Sequence, residues 1–142
     1  MKRVIAFFAL LMLLQTGCKD NAVSAIHLLD LKTFRIETPD TWQAVPGQGY
    51  DSQVGHLTNG SDVLKYDYGW YSYSLRAETS ATHLRTVTTI DGHPALIVRP
   101  KKAGKGVIGL YLEVDSLNQM NLIGHDIRDE ETTIRIFQSV KL

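Results

Sequence analysis

The sequence has almost no cysteine, no net charge and no apolar run long enough to span a bilayer. Its single cysteine among 142 residues excludes a disulfide within the chain. Fifteen basic residues balance fifteen acidic ones, so the one-sided charge that draws a protein onto nucleic acid is missing. We therefore expect no nucleic-acid partner. The shares of hydrophobic (44%) and charged (21%) residues are typical of one globular domain.

The longest apolar run lies at the N-terminus. It covers residues 4–14 and follows Lys2 and Arg3, whereas a membrane-spanning helix needs about 20 apolar residues. A charged start followed by a short apolar run is typical of a secretory signal peptide. The sequence therefore predicts a signal peptide of the lipoprotein type over residues 1–17 and export of the rest of the chain.

The only cysteine, Cys18, stands directly after this segment. The preceding residues 14–17, LQTG, resemble the lipobox of bacterial lipoproteins, although Gln15 stands where that pattern has an aliphatic residue. The resemblance implies cleavage before Cys18 and attachment of lipid to its sulfur. The alternative is an ordinary signal-peptidase cut after Ala25, which would discard Cys18 with the signal.

A lipidated Cys18 would anchor the chain to a membrane of the bacterial cell envelope, on the periplasmic side or the outer surface. Each buried CH₂ of the acyl chains would contribute about 0.8 kcal/mol to that anchoring. Residues 18–31 begin with polar side chains and are predicted to form a short tether. A single domain is expected over residues 32–142.

Turn-forming dipeptides divide this domain into hairpins. Asn59-Gly60 and Asp91-Gly92 each separate two β-type segments, and such dipeptides favour hairpins because both turn residues tolerate positive φ. A third pair of strands, beginning at Gly106 and Gln119, is joined by the turn formers at 115–118. The pattern predicts one large, mostly antiparallel sheet built from hairpins.

The C-terminus has a helical pattern. Acidic residues between 126 and 131 precede positions that recur at three- and four-residue spacing: Thr133, Ile136, Phe137 and Val140. Ile134 and Ile136 also alternate, so a strand over the last residues is the alternative. A C-terminal helix packed against an antiparallel sheet defines the α+β fold class.

Residues 32–142 also resemble a known fold family. The strand FRIETPDTW at 34–42, the long hairpins and the ending IFQSVKL at 136–142 are similar to the PsbP-like fold, named for extrinsic subunits of photosystem II and shared with small bacterial lipoproteins. The resemblance implies a single PsbP-like α+β domain with a non-catalytic role. It carries over no ligand and no metal position.

The stretch 65–76, KYDYGWYSYSLR, is rich in aromatic residues. In the first hairpin we predict that Thr58 opposes Ser61. This register places Leu57, Leu64, Tyr66 and Tyr68 on the core face and His56, Lys65 and Asp67 on the other face. From Tyr71 the alternation resumes one residue out of phase, which predicts a β-bulge at Gly69-Trp70 and a second strand segment that buries Tyr71, Tyr73 and Leu75.

Trp70 falls at the predicted bulge, where an aromatic side chain can stack on a ligand or a partner. A half-buried structural tryptophan is the alternative. Together with the polar face of the hairpin, Trp70 defines a candidate binding patch of four residues: Trp70, Asp67, Lys65 and His56.

No pattern of catalytic or metal-binding residues is found in the sequence. The five histidines occur singly, without ligand-type spacing, and the Gly-Lys-Gly at 104–106 lacks the P-loop spacing. We therefore expect no enzyme activity, no metal and no cofactor. The favoured hypothesis is a lipid-anchored envelope domain that binds an envelope protein. The alternatives are a module that binds a carbohydrate or a hydrophobic molecule, and a hydrolase built from dispersed His and Asp residues.

Overall fold

A computed structural model describes residues 24–142, so the predicted signal peptide, the lipobox and Cys18 lie outside the described residues. Within this range the chain forms nine strands and one helix. The strands are β1 Ile26–Asp30, β2 Arg35–Pro39, β3 Gln43–Pro46, β4 Gln53–Thr58, β5 Val63–Gly69, β6 His83–Ile90, β7 His93–Pro100, β8 Val107–Glu113 and β9 Gln119–His125, and the helix α1 is Glu130–Gln138.

Seven strands form one sheet in the order β3-β4-β5-β9-β8-β7-β6, and every neighbouring pair is antiparallel. β1 and β2 form a separate two-stranded ribbon. The large antiparallel sheet and the α+β class with a C-terminal helix are confirmed. No helix within residues 24–142 is long and apolar enough to cross a membrane.

The domain begins earlier than the sequence predicts. Ile26–Asp30 lies inside the predicted tether, yet it forms β1 and pairs along its whole length with β2. Leu29 of this strand packs against the core. The tether was predicted from the polar residues that follow residue 18, whereas the alternating residues of β1 come later in the same segment. The tether prediction is therefore wrong from Ile26 onward.

The predicted hairpins are present, with one correction to their register. At Asp91-Gly92 both residues have positive φ, 51° and 84°, as a two-residue turn requires. At Asn59-Gly60 the loop is four residues long, so Thr58 pairs with Val63 and not with Ser61. The Asn59 side chain accepts hydrogen bonds from the N–H groups of Ser61 and Asp62, which widens the turn.

This register differs from the predicted one by two residues. Because side chains alternate between faces with a period of two, the predicted faces survive the shift. Leu57, Leu64 and Tyr66 are buried in the core, and Tyr68 packs against its border. His56 and Lys65 lie directly opposite each other.

The helix α1 covers one face of the domain core. Asp129 caps its N-terminus by accepting a hydrogen bond from the Thr132 N–H at 2.9 Å, and this bond holds the pKa of the Asp129 carboxyl below its usual range. Ile136 and Phe137 are buried against the sheet and the ribbon. The alternative prediction of a C-terminal strand is wrong, because the only β-type pairing that the structure describes there is a single bridge between Arg35 and Lys141.

Residues 70–82 connect β5 to β6 across the sheet face opposite α1, and we call them the crossover. The predicted bulge and strand at 69–76 are wrong, because β5 ends at Gly69 and the chain turns at residues 70–71. Tyr71 is 80% exposed and Tyr73 41% exposed, whereas Leu75 is buried as predicted.

Hydrogen bonds between the crossover and the sheet explain why Ser72 is buried while Tyr71 is exposed. The buried Ser72 hydroxyl lies 3.0 Å and 3.1 Å from the carbonyl oxygens of Asp67 and Gln119. The Asn121 side chain donates to the Tyr73 carbonyl at 3.3 Å. The crossover is therefore held by side-chain contacts with the sheet rather than as one of its strands, which leaves Tyr71 exposed and Tyr73 partly exposed.

Candidate functional site

The structure brings three of the four predicted patch residues together. His56 and Lys65 are cross-strand neighbours, and Asp67 follows two residues after Lys65 on the same face, opposite α1. Asp67 Oδ1 is buried and has no hydrogen-bond partner among residues 24–142. An unsatisfied buried oxygen is unfavourable, and this one is closed to a partner on the surface because it has almost no accessible area.

Trp70 lies apart from these three residues. It belongs to the turn that follows β5, at the end of the sheet, and its side chain is 52% exposed. Its ring centroid lies 6.4 Å from that of Tyr71, and the two planes are tilted by 59°. The exposed aromatic surface of Trp70 and Tyr71 therefore lies at the end of the sheet, and only Trp70 was predicted to contribute to it.

A third exposed aromatic residue lies at the same end. Tyr50, in the β3–β4 loop at 47–52, is fully exposed. Tyr50 and Gly69 line the same cleft, and Gly69 directly precedes Trp70. Ser52 of the loop packs so closely on Gly69 that a Cβ at Gly69 would lie 2.6 Å from the Ser52 Cβ. We call the three exposed aromatic residues at this end of the sheet, Tyr50, Trp70 and Tyr71, the aromatic rim.

The sequence pattern predicts no role for Tyr50 and places Tyr71 in the core. Tyr50 stands in a loop, GQGYDS at 47–52, where no alternation indicates which way a side chain points. The composition of this loop does indicate exposure, because an aromatic residue among glycines and polar residues belongs to no strand or helix face that could bury it. The burial predicted for Tyr71 is wrong because strand alternation does not apply to residues outside the sheet, and β5 ends at Gly69.

The cleft beside the aromatic rim has a volume of about 870 Å³. The loop at 47–52 forms one wall, and the turn between β1 and β2 forms another. Gln53 joins the turn to the sheet, because its side chain donates to the Leu31 carbonyl and accepts from the Thr33 hydroxyl. Two elements that are separate in sequence are thus held around one opening.

Two tyrosines of β5 line the cleft. Burial raises the pKa of Tyr66, and burial followed by the negative charge of Asp115 raises the pKa of Tyr68. Both phenols are therefore neutral at physiological pH and can donate or accept hydrogen bonds. The Phe34 ring packs edge-on against Tyr66, with centroids 5.6 Å apart, and fixes that side of the cleft.

In the part of the chain that the structure describes, two of the dispersed His and Asp residues, His83 and Asp62, have structural contacts. No group of three His, Cys, Asp or Glu residues between 24 and 142 could hold a metal ion. The His83 ring contacts the Thr82 hydroxyl at 2.8 Å and the Val107 carbonyl at 3.1 Å, which is a structural arrangement. Asp62 is a buried loop residue that accepts from the Arg128 N–H at 3.0 Å.

No known protein family matches this chain, and no curated protein matches it. The class that the coordinates define is an α+β domain with a large antiparallel sheet. A fold of this kind hosts many functions, so function has to be argued from the site. The relevant site is the end of the sheet that contains the aromatic rim and the cleft.

Proposed function

We propose that this chain is an exported, lipid-anchored domain of the bacterial cell envelope that binds another envelope protein through the aromatic rim. The apolar run at 4–14 and the lipobox-like residues before Cys18 support export and anchoring. The resemblance to the PsbP-like fold is part of the same proposal, since it implies a non-catalytic envelope domain. The function is binding without chemical turnover.

The exposure of the rim is the observation that carries the proposal. Tryptophan and tyrosine are enriched among the residues that dominate protein–protein interfaces, because they bury a large area with few rotatable bonds. Trp70 and Tyr71 are adjacent, exposed and in mutual contact. The hydrogen bonds of Ser72 hold the turn that presents them, so little order has to be gained on binding.

The polar part of the predicted patch has a supporting role in this proposal. His56, Lys65 and Asp67 share one face of β4 and β5, and Trp70 follows Asp67 after three residues. Charged groups at the margin of an interface affect the orientation and the rate of association more than the affinity. We therefore expect the rim to provide affinity and these three residues to orient the partner.

The anchor is tested by the mass of the mature N-terminus. We expect mass spectrometry of the protein isolated from membranes to find a chain that begins at Cys18 with lipid on its sulfur. A Cys18→Ser variant should be released from the membrane fraction. A mature chain that begins at Ile26, or an unmodified chain in the soluble fraction, would contradict the anchor and would leave the binding surface untouched.

The rim is tested by site-specific photo-crosslinking in intact cell envelopes. A photoreactive phenylalanine at Trp70 should form a protein adduct of one defined mass. The same residue at Val63 is the matched control, because Val63 is an exposed apolar side chain at the opposite end of β5. Adding Tyr71→Ala should weaken the Trp70 adduct several-fold. Equal labelling from positions 70 and 63 would refute a specific interface.

A second candidate function follows from the cleft. Its volume of about 870 Å³ lies within the range of small-ligand sites. Its lining combines the phenols of Tyr66 and Tyr68 and the amide of Asn118 with three charged residues, Asp30, Lys32 and Asp51. All of these groups can hydrogen-bond hydroxyl groups, which suits a polyhydroxylated ligand such as a short glycan. Crosslinking from Tyr50 distinguishes the two functions, since an adduct of only a small added mass would favour this candidate.

A further inference from the structure

The two edges of the seven-stranded sheet differ in how they are protected. β3 has only four residues and ends at Pro46, and short edge strands and proline are two ways in which natural sheets prevent further pairing. β6 has eight residues, HLRTVTTI, without proline or lysine, and pairs with β7 in unbroken register. No other strand among residues 24–142 pairs with its outer side.

The main-chain groups of β6 that face outward can be assigned from the hairpin register. The two-residue turn at Asp91-Gly92 closes on the pair Ile90 and His93, and the pair that flanks such a turn exchanges hydrogen bonds. Hydrogen-bonded pairs then alternate along the ladder. Arg85, Val87 and Thr89 therefore direct their N–H and C=O groups away from β7, toward the open edge.

The side chains of this edge lack the charges that would repel another strand. Val87 is 83% exposed and Leu84 is 55% exposed, and threonines occupy three of the other six positions. The only arginine, Arg85, turns its guanidinium to the crossover, where it donates to the Leu75 and Glu78 carbonyls. An exposed, regular and weakly charged edge is suited to pairing with a further strand.

We propose that β6 pairs antiparallel with β6 of a second copy of this chain, about a twofold axis at Val87. The outward-facing residues 85, 87 and 89 are arranged symmetrically about Val87, so a second copy brings matching donors and acceptors and about six main-chain hydrogen bonds form. Val87 then meets Val87 of the second copy, and Arg85 lies opposite Thr89.

The same register brings Leu84 opposite Ile90 of the second copy. No pair of like charges faces across the junction, which would otherwise destabilise it. Removal of the predicted signal peptide takes away Lys2 and Arg3 and leaves thirteen basic and fifteen acidic residues, so long-range repulsion between two copies stays weak. The β6 edge lies at the far side of the sheet from β3 and β4, so this dimer leaves the cleft accessible and does not depend on the proposed function.

Cysteine crosslinking tests both the contact and its register. In the proposed pairing the two Val87 Cα atoms are about 5.5 Å apart, within the range that a disulfide can bridge. The two Leu84 Cα atoms are offset by six residues, which is on the order of 20 Å. Mild oxidation of the full-length chain should therefore link Val87→Cys into a covalent dimer, and Leu84→Cys should give no more dimer than the wild-type chain.

The wild-type chain, with Cys18 as its only cysteine, sets the background for this experiment. A Val87→Cys yield no higher than that background, or equal yields from positions 87 and 84, would overturn the proposal. So would efficient crosslinking of Val87→Cys to a different protein in place of a second copy.

A charge at the twofold axis provides a test without oxidation. Val87→Lys places two ammonium groups opposite each other, so we expect the dimer dissociation constant from sedimentation to rise at least about tenfold. Val63→Lys is the matched control, since it adds the same charge to an exposed valine away from the edge. Circular dichroism should show both variants folded. Equal sedimentation of the two variants, or a wild-type chain that is monomeric throughout, would refute the dimer.

Discussion

Replacing Tyr66 by Ala is expected to lower the free energy of unfolding by roughly 3 to 5 kcal/mol, the range for truncating a large buried aromatic side chain. Tyr66 is 3% exposed and packs edge-on against Phe34. A Cβ at the neighbouring Gly55 would overlap the Tyr66 hydroxyl, so the backbone of β4 is shaped around this ring. The loss should be measured by chemical denaturation at constant pH.

Tyr73→Ala is the matched comparison, because the sequence pattern predicted the same burial for both tyrosines. Tyr73 is 41% exposed, and its main contacts are hydrogen bonds to Glu78 and to the Ala77 N–H. Hydrogen bonds contribute on the order of 1 kcal/mol each, so the loss should be about 1 to 2 kcal/mol. Equal losses for Tyr66→Ala and Tyr73→Ala would mean that Tyr73 is a core residue after all.

Local patterns were sufficient to predict most of the sheet. The hairpins at Asn59-Gly60 and Asp91-Gly92 depend on residues that tolerate positive φ, and Gly60 and Gly92 both adopt it, at 87° and 84°. The helix depends on a cap and an apolar stripe, which are also local. Even the error of two residues in the first hairpin preserved the core face, because only odd shifts exchange the faces of a strand.

The crossover could not be predicted from a local pattern. The alternation YSYSLR at 71–76 fits a strand with its aromatic residues inside. In the structure Ser72 is buried and the segment lies outside the sheet, because β9 lies beside β5. This long-range placement brings the Gln119 carbonyl to the Ser72 hydroxyl and the Asn121 amide to the Tyr73 carbonyl. Period-two alternation does not hold in this segment outside the sheet, where Ser72 and Leu75 are buried and Tyr71 and Tyr73 are exposed.

The candidate site was predicted only in part for the same reason. Trp70 was identified because the alternation breaks beside it, and its side chain is 52% exposed. The cleft was not predicted, because its walls come from the β1–β2 turn and the β3–β4 loop, which Gln53 brings together. β1 itself was assigned to a tether. The site combines the β1–β2 turn, the β3–β4 loop and the turn after β5, and these can be placed together only after the strand order is known.

Leu75→Ala is expected to destabilise the domain by about 2 to 5 kcal/mol, although Leu75 lies in an irregular segment. Its side chain is completely buried, and it packs on Gly109 of β8, where a Cβ would lie 2.9 Å and 3.0 Å from the two Leu75 methyl carbons. Leu75 has a φ of 56°, a conformation that costs an L-residue about 1 to 2 kcal/mol. The free energy gained by burying the Leu75 side chain has to exceed this conformational cost.

A double-mutant cycle with Gly109→Ala identifies the contact itself. Alone, Gly109→Ala forces its new methyl group against Leu75 and should cost about 1 to 3 kcal/mol, as overpacking does. In the Leu75→Ala background that methyl group enters the vacated space, so the double variant should be more stable than the sum of the single effects predicts by about 1 kcal/mol or more.

The cycle also separates the crossover from the rest of the domain. Ala95→Gly is a suitable control partner for Leu75→Ala, because Ala95 is a buried small residue on the core face and should be additive with it. Additivity of Leu75→Ala with Gly109→Ala as well would show that Leu75 does not lie on Gly109. The crossover would then lack its attachment to β8, and the turn that presents Trp70 and Tyr71 would depend on the hydrogen bonds of Ser72 and Asn121 alone.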